Sequence, residues 1–307
     1  MRRRTLVASA VASGIALAGS PRGRAQDANE QAAPDTGGDA AMTPAAQTGY
    51  APVNGLQMYY EIHGKGGVPL VLIHGGFSNI ETDFSSVLPL LAATRRVIAP
   101  ELQGHGRTAD IDRPLSYALM GGDIAALLDH LDVAQADVLG FSVGAGVALE
   151  LALRHPGKVR KLILATAFTQ PSGFHPEVWA NLEQMQVEAL YGSPFHQAYL
   201  ELAPNPDGFE ALFAKKQAMD RAWEGWPDET IQALGMPVHL IAGDADIVRP
   251  EHTVAIFRLV GGGVAGDLGG APPSRLAVLP GTGHIGLVHR AGWLAEMVSE
   301  FLDAPLP

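Results

Sequence analysis

Six short runs that are apolar on both faces punctuate the chain, at residues 69–73, 96–99, 137–141, 161–165, 238–242 and 276–279. Runs of this length without polar alternation suit interior strands of a parallel sheet that is covered on both sides. Between them lie segments such as "YALMGGDIAALLDHLDV" and "HRAGWLAEMVSEFLDAP". In the second, Trp293, Leu294, Met297, Val298, Phe301 and Leu302 recur at helical spacing and make one buried stripe. Strand and helix in alternation predict an α/β fold, a mostly parallel central sheet with helices on both faces. A chain of 307 residues with 47% hydrophobic content can build one large domain, or a domain carrying an insertion.

One interval breaks the alternation. Residues 166–237 are too long for a crossover and carry Phe168, Phe174, Trp179, Met185, Tyr191, Phe195, Tyr199, Phe209, Phe213, Met219, Trp223 and Trp226 among helix-like pieces broken by Pro and Gly. This predicts a helical cap inserted at about 168–234. The Gly-rich connection 260–274 is longer than a turn requires and has no functional reading.

The ends and the composition narrow the setting. Residues 1–25, "MRRRTLVASAVASGIALAGSPRGRA", combine a basic start, an apolar stretch and small residues spaced like a cleavage site. They read as an export signal, and the adjacent arginines point to the twin-arginine route, so the expected location is periplasmic or secreted. The apolar stretch is shorter than the roughly 20 residues of a spanning helix, so no stable membrane insertion is expected once the signal is removed. Residues 26–49, rich in Ala, Gly, Pro and Asp, are expected to form a disordered tether ahead of a domain over 50–307. Net charge is −11; without the five arginines of the first 25 residues, 16 basic side chains face 32 acidic ones, giving −16. Such a surface repels phosphate backbones, so nucleic acid is not an expected partner. The sequence has no cysteine, which removes disulfides, thiolate nucleophiles and Cys-type metal sites.

The string "VLGFSVGAG", residues 138–146, sets Ser142 on a sharp strand-to-helix junction between Gly140 and Gly144. Small neighbours are needed there because a Cβ would strike the adjacent strand and helix. The following "GAGVALELALRH" can press against the sheet and aim its positive end at the hydroxyl. A serine hydroxyl needs a base within hydrogen-bond reach and an acid to orient that base. Two later strands supply them: "VHLIAG" is followed by "DADIVRP" with Asp244 and Asp246, and "LAVLP" by "GTGHIGLVH" with His284. The carboxyl ends of parallel strands share one edge of a sheet, so these groups can converge.

From about residue 50 onward, "VLIHGGF", "GHGRT", "GFSVG", "GDADIVRP" and "LPGTGHIGL" occur in the order and spacing of the capped α/β-hydrolase superfamily, which this chain resembles. The resemblance implies Ser142 as nucleophile, His284 as general base and then acid, and Asp246 as the group that fixes the imidazole tautomer. It favours Asp246 over Asp244, which becomes a turn residue. It implies an oxyanion hole from the backbone N–H of Val143 and that of Gly76, or of Phe77 if the register slips by one. His74 and His105 are expected to brace their loops. Glu101 stands where relatives usually have Asp, and Thr108 where Ser is common, departures that concern a bracing loop.

Phe141, Phe174, Trp179, Met185, Trp223 and Trp226 are the expected lining of an apolar substrate pocket. No metal-ligand spacing and no nucleotide-binding glycine motif occurs, so neither metal nor cofactor is implied. The resulting expectation is a serine hydrolase acting on a carboxylic ester or lactone of a mostly apolar small molecule. The alternatives are C–C bond hydrolysis or cofactor-free perhydrolysis with the same three residues, and a non-catalytic protein that binds a hydrophobic ligand. An epoxide or haloalkane hydrolase would carry aspartate at position 142. Sequence leaves the oligomeric state open.

Overall fold

The computed structural model describes residues 47–307. Residues 1–25, expected to form an export signal, and most of the expected tether lie outside the described residues. The described chain begins in strand β1, Gln47–Val53, three residues ahead of the expected domain boundary. β1 pairs antiparallel with β2, Leu56–His63, through a turn in which Asn54 (φ 47°) and Gly55 (φ 88°) both adopt left-handed backbone. That turn matches the right-handed strand twist, and Asn-Gly is its preferred sequence.

Six further strands follow: β3 Leu70–Ile73, β4 Val97–Pro100, β5 Ala136–Phe141, β6 Val159–Ala165, β7 Val238–Ala245 and β8 Arg275–Gly283. They correspond to the six apolar runs. Together the eight strands form one sheet in the order β1-β2-β4-β3-β5-β6-β7-β8, with β2 antiparallel to β4 and every later pairing parallel. This is the α/β-hydrolase fold.

The sheet separates two apolar layers. One contains Val71, Ile73, Val138, Leu162, Leu164 and Leu240 and packs against the helices Tyr117–His130 and Val143–Arg154. The other contains Leu70, Leu72, Leu139, Phe141, Ile163 and Ile241 and packs against the helices Ile80–Phe84, Leu88–Ala92 and Ala291–Asp303. Alternate residues of each strand fall into alternate layers, as the two-residue period of a strand requires.

The last helix is fastened to the middle of the sheet by a buried cation. Lys161 in β6 is 1% exposed, and its ammonium donates to the carbonyls of Phe301 (2.8 Å), Leu302 (3.1 Å) and Ala304. The final carbonyls of a helix have no partner within it, and a lysine supplies both hydrogen bonds and charge of the favourable sign.

Between β6 and β7 the chain forms helices Pro176–Gln184, Pro194–Leu202, Phe209–Ala222 and Asp228–Gln232. The helix Phe209–Ala222 lies against the loops that follow β3 and β4. Phe213 stacks on Phe77 at 5.9 Å, and Leu212 Cδ1 stands 3.2 Å from where a Cβ on Gly104 would be. Among the described residues, no helix is long and apolar enough to cross a membrane.

Candidate active site

Ser142 sits between β5 and the helix Val143–Arg154 with φ 54° and ψ −117°, a backbone conformation that L-residues avoid. The turn is so tight that two neighbours cannot carry a side chain. A Cβ on Gly140 would stand 2.1 Å from the Gly144 carbonyl oxygen, and one on Gly144 would stand 2.1 Å from that of Ile73. Close packing of β3, β5 and the helix therefore holds the serine in its strained position, with its backbone N–H on the Ala165 carbonyl at 3.0 Å.

Three side chains from three strand ends meet here. The Ser142 hydroxyl lies 2.9 Å from His284 Nε2, and His284 Nδ1 lies 2.7 Å from Asp246 Oδ1. The Asp246 side chain is fully buried, and its Oδ1 also accepts the Val248 backbone N–H at 3.1 Å. An ionised carboxylate can only accept, so Nδ1 carries the proton and Nε2 presents its lone pair to the serine. The arrangement can take a proton from the hydroxyl as it attacks and steady the imidazolium that results. Asp244 is exposed and does something else. Its Oδ1 accepts the Thr282 backbone N–H at 3.1 Å, and bonds from Gly281 and Thr282 hold its carboxyl below the usual range. It ties the end of β7 to the loop that carries His284.

The loop after β3 faces the elbow. A Cβ on Gly76 would touch Val143 Cγ2 at 3.0 Å, so the backbone of residues 75–77 runs beside the first turn of the helix. Phe77 has φ 61°, a strained value for an aromatic residue, and its ring is gripped by Phe209 (6.0 Å) and Phe213. The backbone N–H groups of Gly76, Phe77 and Val143 donate to no other backbone group among the described residues. They remain free to serve a developing oxyanion.

Several buried groups hold that loop. Asp83 is 6% exposed, and its Oδ2 accepts the Gly75 N–H at 2.7 Å. Burial pushes its carboxyl up from 3.8 to about 6, against the opposing pull of the Gly75 N–H, the Ser78 hydroxyl and the charge of His284. His74 donates through Nδ1 to the Gly75 carbonyl (2.8 Å) and accepts the Leu102 N–H on Nε2 (3.0 Å), as only a neutral imidazole can. Burial lowers it to about 3 and lowers His105 to about 4. Both histidines brace loops, as expected. Glu101 is wholly buried and accepts the Arg107 N–H (2.5 Å) and guanidinium (3.0 Å). Its longer side chain fits because Gly106 leaves room: a Cβ there would stand 2.3 Å from the Glu101 carboxyl carbon. Thr108 accepts the Tyr59 N–H at 2.9 Å and donates to the Glu101 carbonyl at 2.8 Å.

The expected pocket residues divide. Phe174, Trp179 and Trp223 join Tyr117 and Phe168 in one aromatic layer, with ring centroids 4.8 to 6.2 Å apart. Met185 is half-buried against the core cluster that contains this layer. Trp226 joins this layer too, 5.3 Å from Tyr117 and 5.2 Å from Trp223, and its indole N–H donates to Glu150 on the elbow helix at 2.8 Å. Phe141 packs in the opposite layer with Leu139, two residues away on the same strand face, and its ring lies 5.4 Å from that of His284. Sequence reasoning missed Asp83, Glu150 and Tyr117, whose roles arise from contacts between segments far apart in the chain. No group of three or more metal-ligating side chains occurs among the described residues. The open surface depressions beside Arg95 and Arg160 and beside Pro250 and Arg258 contain none of the three converging residues.

Comparison with known proteins agrees with this fold. The family described as alpha/beta hydrolase fold matches residues 68–211. The chain is 30% identical over 257 residues to a pimeloyl-[acyl-carrier protein] methyl ester esterase of Neisseria meningitidis, covering 76% of this chain and 93% of that one. It is 30% identical over 280 residues to the dihydrolipoyllysine-residue acetyltransferase component of an acetoin cleaving system from Pseudomonas putida, covering 87% and 71%. It is 40% identical over 107 residues to a 2-hydroxymuconate semialdehyde hydrolase of a Pseudomonas species, covering 34% and 38%. Among solved structures, a meta-cleavage product hydrolase from Pseudomonas fluorescens superposes with TM-score 0.68 at 22% identity, covering 84% of this chain and 98% of that one. Fold, elbow and relatives together assign the chain: it belongs to the alpha/beta hydrolase superfamily.

Proposed function

We propose that this chain is a serine hydrolase that cleaves a carboxylic ester or lactone of a mostly apolar small molecule through an acyl-enzyme on Ser142. The observation that carries the reading is the continuous line from the Ser142 hydroxyl through His284 to buried Asp246, at 2.9 and 2.7 Å. His284 takes the hydroxyl proton as Ser142 attacks the carbonyl carbon. The N–H of Val143 and that of Gly76 or Phe77 hold the oxyanion. Collapse expels the alcohol, which receives the proton from His284, and water activated by the same imidazole releases the acid. The aromatic layer of buried Phe174 with half-buried Trp179 and Trp223 supports an apolar acyl or alcohol group. The chain carries no cofactor requirement in this scheme. Residues 1–25 act as the export signal, and cell fractionation with and without them tests that assignment.

A second reading keeps the three residues and changes the bond. The match to a 2-hydroxymuconate semialdehyde hydrolase favours C–C bond hydrolysis, and perhydrolysis uses the same groups. Turnover of a vinylogous diketone, or peracid formation from acetate and peroxide, at rates above ester cleavage would select one of these. A fluorophosphonate probe separates all hydrolytic readings from a binding protein. Wild type is expected to label, and labelling should vanish in Ser142→Ala. A folded wild type that does not label refutes the proposal. A graded series of p-nitrophenyl esters with lactones alongside then defines the substrate.

A further inference from the structure

The helix Phe209–Ala222 turns one apolar stripe toward the oxyanion loop, with Phe209, Leu212, Phe213 and Met219 buried. Two charged residues interrupt that stripe at the same helical spacing. Lys216 Nζ lies 2.6 and 2.5 Å from the two carboxylate oxygens of Asp220. The Lys216 side chain is 12% exposed and that of Asp220 is 24%. Removing an ion pair from water costs free energy that its mutual attraction does not reliably return, so such a pair in an apolar stripe is weak evidence of a stabilising role.

Its position is informative. Lys216 Cε stands 3.2 Å from where a Cβ on Gly76 would be, so the ammonium hangs beside the loop that flanks Ser142. Its charge also helps depress His105 in the neighbouring loop, after the larger effect of burial. His105 is 2% exposed and donates through Nδ1 to the Gln103 carbonyl, which leaves a buried Nε2 with no partner among the described residues. One turn beyond Asp220 on the helix, the Trp223 indole N–H is also buried and unpartnered. The other cations on this side are engaged: Arg107 with Glu81 and Glu101, Arg113 with Asp123, and Lys215 with Asp110.

We infer that Lys216 is the recognition residue for a carboxylate on the substrate, with Asp220 as its counter-ion while the site is empty. The inference rests on the hydrolase reading and narrows its substrate class to esters or lactones that carry a free carboxylate. Binding exchanges one carboxylate for another. The ammonium stays over Gly76, and the more exposed Asp220 turns to water. No covalent step is involved. The exchange keeps the buried lysine paired throughout, so the neutral methyl ester of the same acid leaves the resting pair in place and gains nothing from it.

The test is calorimetric binding of monomethyl glutarate and dimethyl glutarate to full-length Ser142→Ala, with Lys216 intact, as Lys216→Met and as Lys216→Arg. With Lys216 intact the monoanion should bind about tenfold more tightly than the diester. Lys216→Met should bring the ratio near one, and Lys216→Arg should restore it. Equal binding of the two ligands with Lys216 intact, or a preference that survives in Lys216→Met, overturns the inference. Should Lys216→Met fail to fold, Asp220→Asn serves instead: removing the competing carboxylate should tighten the monoanion further, and an unchanged ratio overturns the inference. Turnover is read separately in the Ser142 enzyme. Intact discrimination in binding with no cleavage of either ester would count against the hydrolase reading alone.

Discussion

The carboxyl of Asp83 offers a sharp test because its burial makes stability depend on pH in a direction that can be stated beforehand. In the unfolded chain it titrates near 3.8, and in the fold burial raises it to about 6. A carboxyl raised in the folded state contributes its full stability below the unfolded value and loses it as pH rises through the folded value. A shift of roughly two units corresponds to about 3 kcal/mol lost between about pH 4 and pH 7. Asp83→Asn has no such titration, and its side-chain oxygen can still accept the Gly75 N–H that Asp83 holds at 2.7 Å. The stability of the variant relative to wild type should therefore rise by up to about 3 kcal/mol over that interval. Urea unfolding of both proteins at closely spaced pH values measures the difference, in which titrations at other sites cancel. A stability difference that stays flat from pH 4 to pH 8 would refute the argument, because it would mean that the carboxyl is not desolvated as the packing implies. Asp83→Leu adds a contrast in activity. It leaves the Gly75 N–H buried without an acceptor, at a cost of about 1–3 kcal/mol. Because the donors of Gly76 and Phe77 follow directly, kcat should fall more steeply in Asp83→Leu than in Asp83→Asn.

Other perturbations test the scaffold around the serine. Gly144→Ala would set a methyl group 2.1 Å from the Ile73 carbonyl oxygen and 2.5 Å from that of His74, both backbone atoms. It should cost about 1–3 kcal/mol or more and sharply reduce fluorophosphonate labelling; a variant that melts and labels like wild type would contradict the elbow geometry. Trp226→Phe removes the indole N–H bonded to Glu150 and should destabilise by about 1.5–3 kcal/mol, measured by thermal or urea unfolding. Lys161→Met should cost at least about 2–3 kcal/mol in the same assay, because the carbonyls it serves at the C-terminal helix lose their donor.

The parallel part of the sheet was legible because its strands are buried on both faces and read as unbroken apolar runs. Ser142 was legible for a related reason, since it follows such a run directly; Asp246 and His284 lie a few residues past later runs, and the family resemblance favoured Asp246 over Asp244. β1 and β2 were not read as strands, although Asn54-Gly55 is a strong hairpin signal. β2 contains Tyr59, Glu61 and His63, which look solvent-facing in sequence. They are buried in the fold because the Glu61 carboxylate accepts the Tyr59 hydroxyl at 2.9 Å and lies 2.7 Å from His63 Nε2. Strand alternation packs Phe141 with Leu139 and sets its ring beside His284, a placement that depends on where the loop after β8 settles. The pairing of Asp83 with Gly75 and the approach of Lys216 to Gly76 depend on how helices settle on loops, which no local pattern in the sequence encodes.

The anchoring of Lys161 has a consequence for how the chain reaches this state. β6 hydrogen-bonds to β5, the strand that delivers the serine, yet the Lys161 ammonium meets its acceptors only 140 to 143 positions later. Such long-range closure is slow to form, and until it does the centre of the sheet holds a bare cation in an apolar layer. Completion of the sheet thus depends on the docking of the helix Ala291–Asp303. A chain in which residues 301–304 have not docked leaves the Lys161 ammonium without its carbonyl acceptors, however complete its nucleophile elbow is.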